Sequence, residues 1–323
     1  MKSWKQKVIV ITGASSGVGR AIAIELAKHQ TNLVLAARRE KPLEELAEEC
    51  RAFGATAKVV HTDVRNANDV RHLAESASRI SGTIDAWVNN AGVLAAGALD
   101  DIPSAINEQV IMTNLVGYIN GAHEVLPYFK DQGFGVLINN ISIGCWLPTP
   151  YAAAYTASKF GLRGFSESLK GELSNHPDIH VVDLYPPFLD TPGIQHAANY
   201  TGKRIVPAPP LYDPFVVART VVKRINTPCE RDHVVASSGF LRLAYALFPR
   251  LTRSITATGI RKYINHADPI PTTPGNVLTT VDFGTSVHGG WKKPVNKKKV
   301  ALPFALIAAF GAGLTIFSKM KTR

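Results

Sequence analysis

The sequence predicts an α/β fold organised around a doubly wound parallel sheet. Short apolar runs alternate with longer amphipathic ones, a glycine-rich turn joins the first of each, and the apolar runs are too continuous to alternate in and out. The strand-like runs are Val8–Ile11, Leu33–Ala36, Ala57–His61, Ala86–Asn89, Val136–Ile141 and His180–Leu184. A strand covered on both faces needs apolar side chains at successive positions, which these runs supply. Between them the helix-like stretches are Val18–His29, Pro42–Phe53, Ala67–Ile80, Ile106–Lys130 and Ala152–Leu173.

After Tyr185 the composition changes. Pro186, Pro187, Pro192, Pro207, Pro209, Pro210 and Pro214 break up a segment read as a small lid over about residues 187–212. A helix over Phe215–Asn226 and a strand over His233–Ala236 would close the sheet, giving one domain over residues 1–236. Residues from about 238 to 265 read as an apolar and basic helical stretch, and Pro269–Lys299 as linker, so 237–299 forms an extension and basic linker.

The net charge of +11 is unevenly placed. Eight of the cations lie between Trp291 and Arg323 with no Asp or Glu among them, which leaves the first 290 residues at +3. Nucleic-acid binding calls for cations spread over a folded face with aromatics between them, so no nucleic acid is expected as a partner. Here the lysines bracket Val300–Phe317, eighteen residues without a charge. As a helix that run spans about 27 Å, just under a ~30 Å hydrocarbon core, and Lys299 and Lys319 can snorkel to close the gap. Residues 300–317 are therefore a candidate transmembrane helix, with a buried or interfacial segment as the other reading. Five lysines before it against three cations after it place the folded domain on the cytoplasmic side. The apolar run after Lys2, Lys5 and Lys7 is too short for a secretory signal. Cys50, Cys145 and Cys229 have neither metal-ligand nor disulfide spacing, so no metal is expected and a reducing compartment fits.

Two local patterns carry chemistry. Thr12-Gly13-Ala14-Ser15-Ser16-Gly17-Val18-Gly19 follows a strand and opens a helix, the setting in which a Rossmann-type sheet holds a dinucleotide. Gly13 permits the tight turn, and Gly17 and Gly19 let backbone N–H groups approach a pyrophosphate. The next strand ends Ala36-Ala37-Arg38-Arg39, with arginines where an NAD site would carry an acid, which favours a 2′-phosphate and hence NADP(H). Asp63-Val64, after the third strand, stands where an adenine edge could be held, although most such aspartates only form turns. The second pattern is Tyr155 and Lys159, one helical turn apart, with Ser142 thirteen positions before Tyr155. An ammonium so placed would draw the phenol from ~10 towards neutrality, as a general acid/base requires.

With these residues in hand, the chain resembles the short-chain dehydrogenase/reductase family over residues 5 to about 235. Thr12–Gly19 matches the family's TGxxxGxG turn, Asn89-Asn90-Ala91-Gly92 its NNAG segment, and Ser142, Tyr155 and Lys159 its catalytic trio. Asn114 lies where the family places a helix asparagine. The resemblance implies that Tyr155 exchanges a proton with the substrate oxygen and that Lys159 lowers its pKa and holds the nicotinamide ribose. Ser142 would polarise the carbonyl, and Asn114 would hold a proton-relaying water. Gly13, Ser15, Ser16, Gly17, Val18, Gly19, Asn90, Ala91 and Gly92 would line the cofactor groove together with Arg38, Asp63, Val64 and Pro186, and Thr191 would meet the carboxamide. A homodimer or homotetramer through the two long helices is also implied. One departure stands out: the family carries Pro-Gly where this chain has Pro186-Pro187. The second proline has neither a backbone N–H nor access to positive φ.

The expectation is an NADP(H)-dependent oxidoreductase interconverting a carbonyl and an alcohol on a lipophilic small molecule, held at a membrane. The competing reading is a non-enzymatic dinucleotide-binding sensor or scaffold at a membrane, whose mark would be erosion of Ser142, Tyr155 or Lys159, and none is eroded. Trp146, Leu147, Tyr151 and Phe188 suggest an apolar substrate pocket, with core packing as the other reading.

Overall fold

β1 (Val8–Thr12) runs through the middle of the sheet and is buried at every position. The structure, a computed structural model, describes residues 2–291, and for 236–241 the backbone only. Six parallel neighbours flank β1 in the order β3-β2-β1-β4-β6-β7-β9: β2 (Asn32–Ala37), β3 (Thr56–His61), β4 (Ala86–Asn89), β6 (Gly135–Asn140), β7 (Ile179–Leu184) and β9 (Arg231–Asp232). A separate pair, β5 (Ala95–Ala96) with β8 (Ala198–Asn199), was not legible in sequence because two-residue strands have no periodicity.

Successive residues of β1 serve opposite faces. Ile9 and Ile11 join a core beneath α1 (Gly17–Ala27), α2 (Glu40–Ala52) and α7 (Phe215–Asn226), while Val8 and Val10 join one with α3 (Ala67–Ser81) and α5 (Gly117–Gln132). Helices on both faces explain why the strands read as unbroken apolar runs. The strand order reverses between β1 and β4, so a crevice opens at their carboxyl ends.

Four elements differ from expectation. The stretch Ile106–Lys130 is α4 (Ser104–Ile111), a π-helical turn (Met112–Val116) and α5, and the turn contains Asn114. The last strand is β9, not His233–Ala236. Asp232 accepts from Arg224 and from the Val234 backbone N–H, and Val234 sits at φ 62, which no strand continues. As a half-wet edge strand β9 has no apolar signature. Ala236 instead opens α8 (Ala236–Leu247), and Phe248-Pro249 separates it from α9 (Pro249–His266). Finally, the stretch read as linker from Pro269 packs against the domain as far as Trp291. It does so through backbone carbonyls, which hydropathy does not register. The lid excursion is closed at its base, where Asp190 N donates to Tyr212 O at 2.9 Å and Tyr212 N to Phe188 O at 3.0 Å. Among the described residues no helix is long and apolar enough to cross a membrane; the candidate segment 300–317 lies outside them.

α6 (Ala153–Glu172) is fastened to the sheet through Asp183 of β7, which is wholly buried. Its carboxylate accepts from Ser166 Oγ at 2.6 Å and Lys170 Nζ at 2.7 Å on α6, and from Asn139 Nδ2 at 3.3 Å on β6. Removing one partner of such a pair strands the other charge in low dielectric. Asp183→Ala is expected to lower unfolding free energy by about 3 kcal/mol, read from urea denaturation.

Candidate active site

The glycine turn forms because β1 must pass directly into α1. Gly13 and Gly17 adopt φ 66 and φ 56, the left-handed region that favours glycine. At Gly19 a Cβ would lie 2.3 Å from the Gly13 carbonyl oxygen, so helix and turn meet only because no side chain intervenes. Thr12 Oγ1 accepts from the N–H groups of Asn90 (3.0 Å) and Ala91 (3.2 Å), and Asn90 Nδ2 donates to Thr12 O (3.0 Å) and Gly13 O (3.3 Å). The turn and the Asn90–Gly92 segment therefore form one wall of the crevice, with Ser15, Ser16 and Val18 beside it.

At the end of β2, burial draws the Arg38 guanidinium below its usual pKa, while the Asp63 carboxylate acts in the opposite direction. Arg38 Nη2 donates to the Asn276 carbonyl at 2.6 Å. Arg39 donates to Ser15 Oγ (3.2 Å) and to the carbonyls of Val281 (3.2 Å) and Phe283 (2.9 Å). Asp63 lines the crevice, but Arg65 grips its carboxylate by Nε (2.9 Å) and Nη2 (2.5 Å). Burial alone would raise that carboxyl; the bonds from Arg65 outweigh it and hold it below the usual range. Any group that approaches Asp63 must therefore share it with Arg65. Val64 is buried alongside.

The opposite end of the crevice holds the trio. Ser142 follows β6 at φ 112, a strained conformation for serine, and its Oγ accepts from Gly144 N at 3.1 Å. Tyr155, on the first turn of α6, hydrogen-bonds Ser142. Lys159 lies one turn on, 4% exposed, with its ammonium 5.7 Å from the Tyr155 ring centre and 5.1 Å from that of Tyr118. Among the described residues no carboxylate pairs with it. Desolvation lowers Lys159 to about 8. The expected lowering of Tyr155 is not found: desolvation of its hydroxyl raises it, and the bond with Ser142 offsets this only in part. The pair lies in low dielectric, where both groups favour their neutral forms. Asn114, fully buried in the π turn, is saturated by Val93 N (2.8 Å), Val93 O (2.9 Å) and Ser158 Oγ (3.3 Å).

The two ends share a cavity of about 430 Å³. It is bounded by every residue expected from sequence to serve the cofactor or the proton transfer except Gly19, which packs behind the turn, and Asn114, which lies beneath the floor at Val93. Pro186 and Thr191 line it, as does Pro187, the departure from the family pattern. Thr191 leans over the phosphate turn: a Cβ on Gly17 would lie 3.4 Å from the Thr191 Cβ. Of the residues expected around a substrate, Leu147 and Phe188 line the cavity. Trp146 does not; its ring is sandwiched between the guanidinium groups of Arg163 (4.2 Å) and Arg242 (4.3 Å). Nor does Tyr151, whose carbonyl instead accepts from Gly97 N at 2.9 Å. Sequence reasoning missed Thr113, Asn140, Ile194, His196, Asn276, Thr280 and Val281, for which no local signal exists. Three of the lining residues carry buried side-chain oxygens with no partner, Thr113 Oγ1, Asn140 Oδ1 and Asn276 Oδ1, which fits a polar ligand spanning the cavity. Cys50 and Cys145 are pushed up to about 12 by burial, too high for a nucleophile. Among the described residues no acidic, histidine or cysteine cluster is placed to hold a metal.

The short chain dehydrogenase family model matches residues 7–200. An uncharacterized oxidoreductase of Bacillus subtilis, YxnA, is 31% identical over 332 residues, spanning 99% of this chain and 92% of its own. The 11-beta-hydroxysteroid dehydrogenase A of Sesamum indicum is 35% identical over 202 residues, 62% of this chain and 57% of its own length. Among solved structures, an alcohol dehydrogenase from the archaeon Thermococcus sibiricus, complexed with 5-hydroxy-NADP, superposes with a TM-score of 0.62 at 27% identity over 70% of this chain and 95% of that one. A variant of actinorhodin polyketide ketoreductase with NADPH gives 0.62 at 29% identity over 70% and 92%. The parallel sheet with its β1/β4 crevice, the glycine turn and the Ser142–Tyr155–Lys159 end agree with these matches, and the chain belongs to the short-chain dehydrogenase family.

Proposed function

We propose that this protein is an NADP(H)-dependent oxidoreductase that interconverts a carbonyl and an alcohol on a lipophilic small molecule, with Tyr155 as general acid/base. The observation that carries the proposal is a single crevice with cations at both ends: Lys159 beside the Ser142–Tyr155 pair, and Arg38 with Arg39 at the other. When bound, NADPH supplies the hydride. The turn residues Gly13, Ser15, Ser16, Gly17 and Val18 cradle its pyrophosphate, Gly19 lets α1 begin against them, and Arg38 reads the 2′-phosphate. Asp63 and Val64 flank the adenine; Asn90, Ala91, Gly92, Pro186 and Thr191 frame the nicotinamide half.

In the reductive direction Ser142 Oγ–H donates to the substrate oxygen, and negative charge builds there as the carbonyl is reduced. Tyr155 passes its proton to that oxygen. Lys159, otherwise an unpaired ammonium in low dielectric, stabilises the phenolate left behind. Asn114, its side chain engaged by Val93 and Ser158, backs the site from beneath its floor and positions those two segments. Leu147, Phe188, Ile143 and Ile194 give the cavity an apolar wall, which supports a lipophilic substrate.

A membrane location is supported by a second observation. The α8–α9 hairpin carries five cations and no acid across residues 236–266. Leu243, Leu247, Leu251 and Ile255 on it are exposed by 49–62%. Such a surface suits an anionic leaflet, and it precedes the 300–317 run. We place the domain on the cytoplasmic side, and assembly as a dimer or tetramer through α5 and α6 follows the family pattern.

Three outcomes are expected. Tyr155→Phe lowers kcat for ketone reduction about a thousandfold and leaves the NADPH Kd unchanged, read by steady-state kinetics and fluorescence titration. Reduction requires Tyr155 protonated and Lys159 charged. Burial raises the first and lowers the second to about 8, so kcat should hold at lower pH and fall as pH rises through about 8, checked by a pH–rate profile. Full-length protein in isolated membranes should resist extraction by high salt and be released by detergent; release by salt alone would leave only a surface attachment.

A further inference from the structure

The family match stops at residue 200, yet the crevice has a wall built from beyond it. After α9 the chain bridges back to the lid, Pro269 with Lys203 and Thr273 with Asn199, then runs along the crevice to Trp291. Its seating is tight. Gly275 and Gly284 lie at φ 53 and φ 65, and a Cβ there would come within 2.2 Å of His196 O and 2.1 Å of His196 Nε2. At Gly289 a Cβ would lie 2.4 Å from Thr191 O. Val277 is fully buried, and Trp291 ends the run with its Nε1 on Thr191 O and its N on Asp190 Oδ1, both at 2.9 Å.

The polar groups of this strap face the arginine end. Besides holding Arg38 through Asn276 O and Arg39 through Val281 O and Phe283 O, it accepts from Gly17 N at Ser286 O (2.9 Å). These acceptors are neutral carbonyls. They orient the guanidinium groups without discharging them, and Arg38 keeps its remaining N–H donors for a ligand. Asn276 also lines the crevice with a buried side-chain oxygen that has no partner.

We propose that residues 273–291 are a working wall of the dinucleotide site: the Asn276 side chain binds the adenosine, and its carbonyl sets Arg38 against the 2′-phosphate. This rests on the NADP(H) reading above. The C-terminal extension thereby contributes to cofactor affinity and to selection of the 2′-phosphate, a task the glycine turn alone does not perform.

Calorimetric titration of the full chain with adenosine 2′,5′-bisphosphate and with 5′-AMP tests this without turnover. Asn276→Ala removes the amide and keeps the carbonyl, so both ligands should weaken about fivefold. Gly284→Val, unable to seat against His196, should weaken the bisphosphate about tenfold more than 5′-AMP, because Arg38 and Arg39 lose their supports. Circular dichroism checks that each variant is folded. If Gly284→Val does not fold, Asn276→Ala decides alone. Unchanged affinities in folded variants overturn the proposal while leaving the cofactor reading intact; a wild-type chain that binds neither fragment overturns both.

Discussion

The position of α6 on the sheet depends on one buried carboxylate. Asp183 holds Ser166 and Lys170 of α6, and those residues share a helical stripe with Leu162, Lys159 and Tyr155. Fixing the far end of the stripe therefore fixes the near end, where the phenol and ammonium must meet Ser142. Asp183 also receives Asn139, which accepts from Asn89 at 3.1 Å, so the polar chain crosses β7, β6 and β4 beneath the crevice. Buried polar networks of this kind tolerate little slippage, because each displaced member leaves another unsatisfied. The Ser142–Tyr155–Lys159 end is thus positioned by the sheet, and backbone strain near it falls on Ser142 and Tyr151, at φ 112 and φ 64.

Among the described residues Lys159, Arg38 and Arg39 make no direct ion pair, although Asp63 acts on Arg38 and Asp282 on Arg39 from nearby. Lys159 has no carboxylate partner among the described residues, and the hydrogen bonds of Arg38 and Arg39 go to carbonyls and a hydroxyl. Arg65, by contrast, is paired with Asp63. The unpartnered oxygens of Thr113 and Asn140 line the same crevice. The raised Tyr155 and lowered Lys159 share one cause, since desolvation by burial is the largest influence on both groups.

The C-terminal region divides into parts with different physical characters. The α8–α9 hairpin presents exposed leucines and cations, and Arg242 from it stacks on Trp146, the residue that follows the turn Ile143–Cys145 after Ser142. The strap that follows is polar and glycine-rich and joins the body through its backbone. The extension thus reaches the arginine end of the crevice by carbonyls and, outside the crevice, meets Trp146 by a cation–π contact.

The sequence by itself determined the sheet, its covering helices, the phosphate turn and the Ser142–Tyr155–Lys159 constellation. Each is written in local regularities, namely unbroken apolar runs, glycines at fixed offsets, and a one-turn spacing on a helix. What the sequence did not contain is everything decided by chain segments that meet from afar. Arg38 meets Asn276 across 238 positions, and Arg39 meets Phe283 across 244. The π turn at Asn114, the edge strand at Arg231–Asp232 and the seating of Gly275 and Gly284 against His196 are likewise set by packing. The same holds for the pKa of Tyr155: a lysine one turn away predicts a lowered phenol, but desolvation is a property of the surrounding fold, and there it wins.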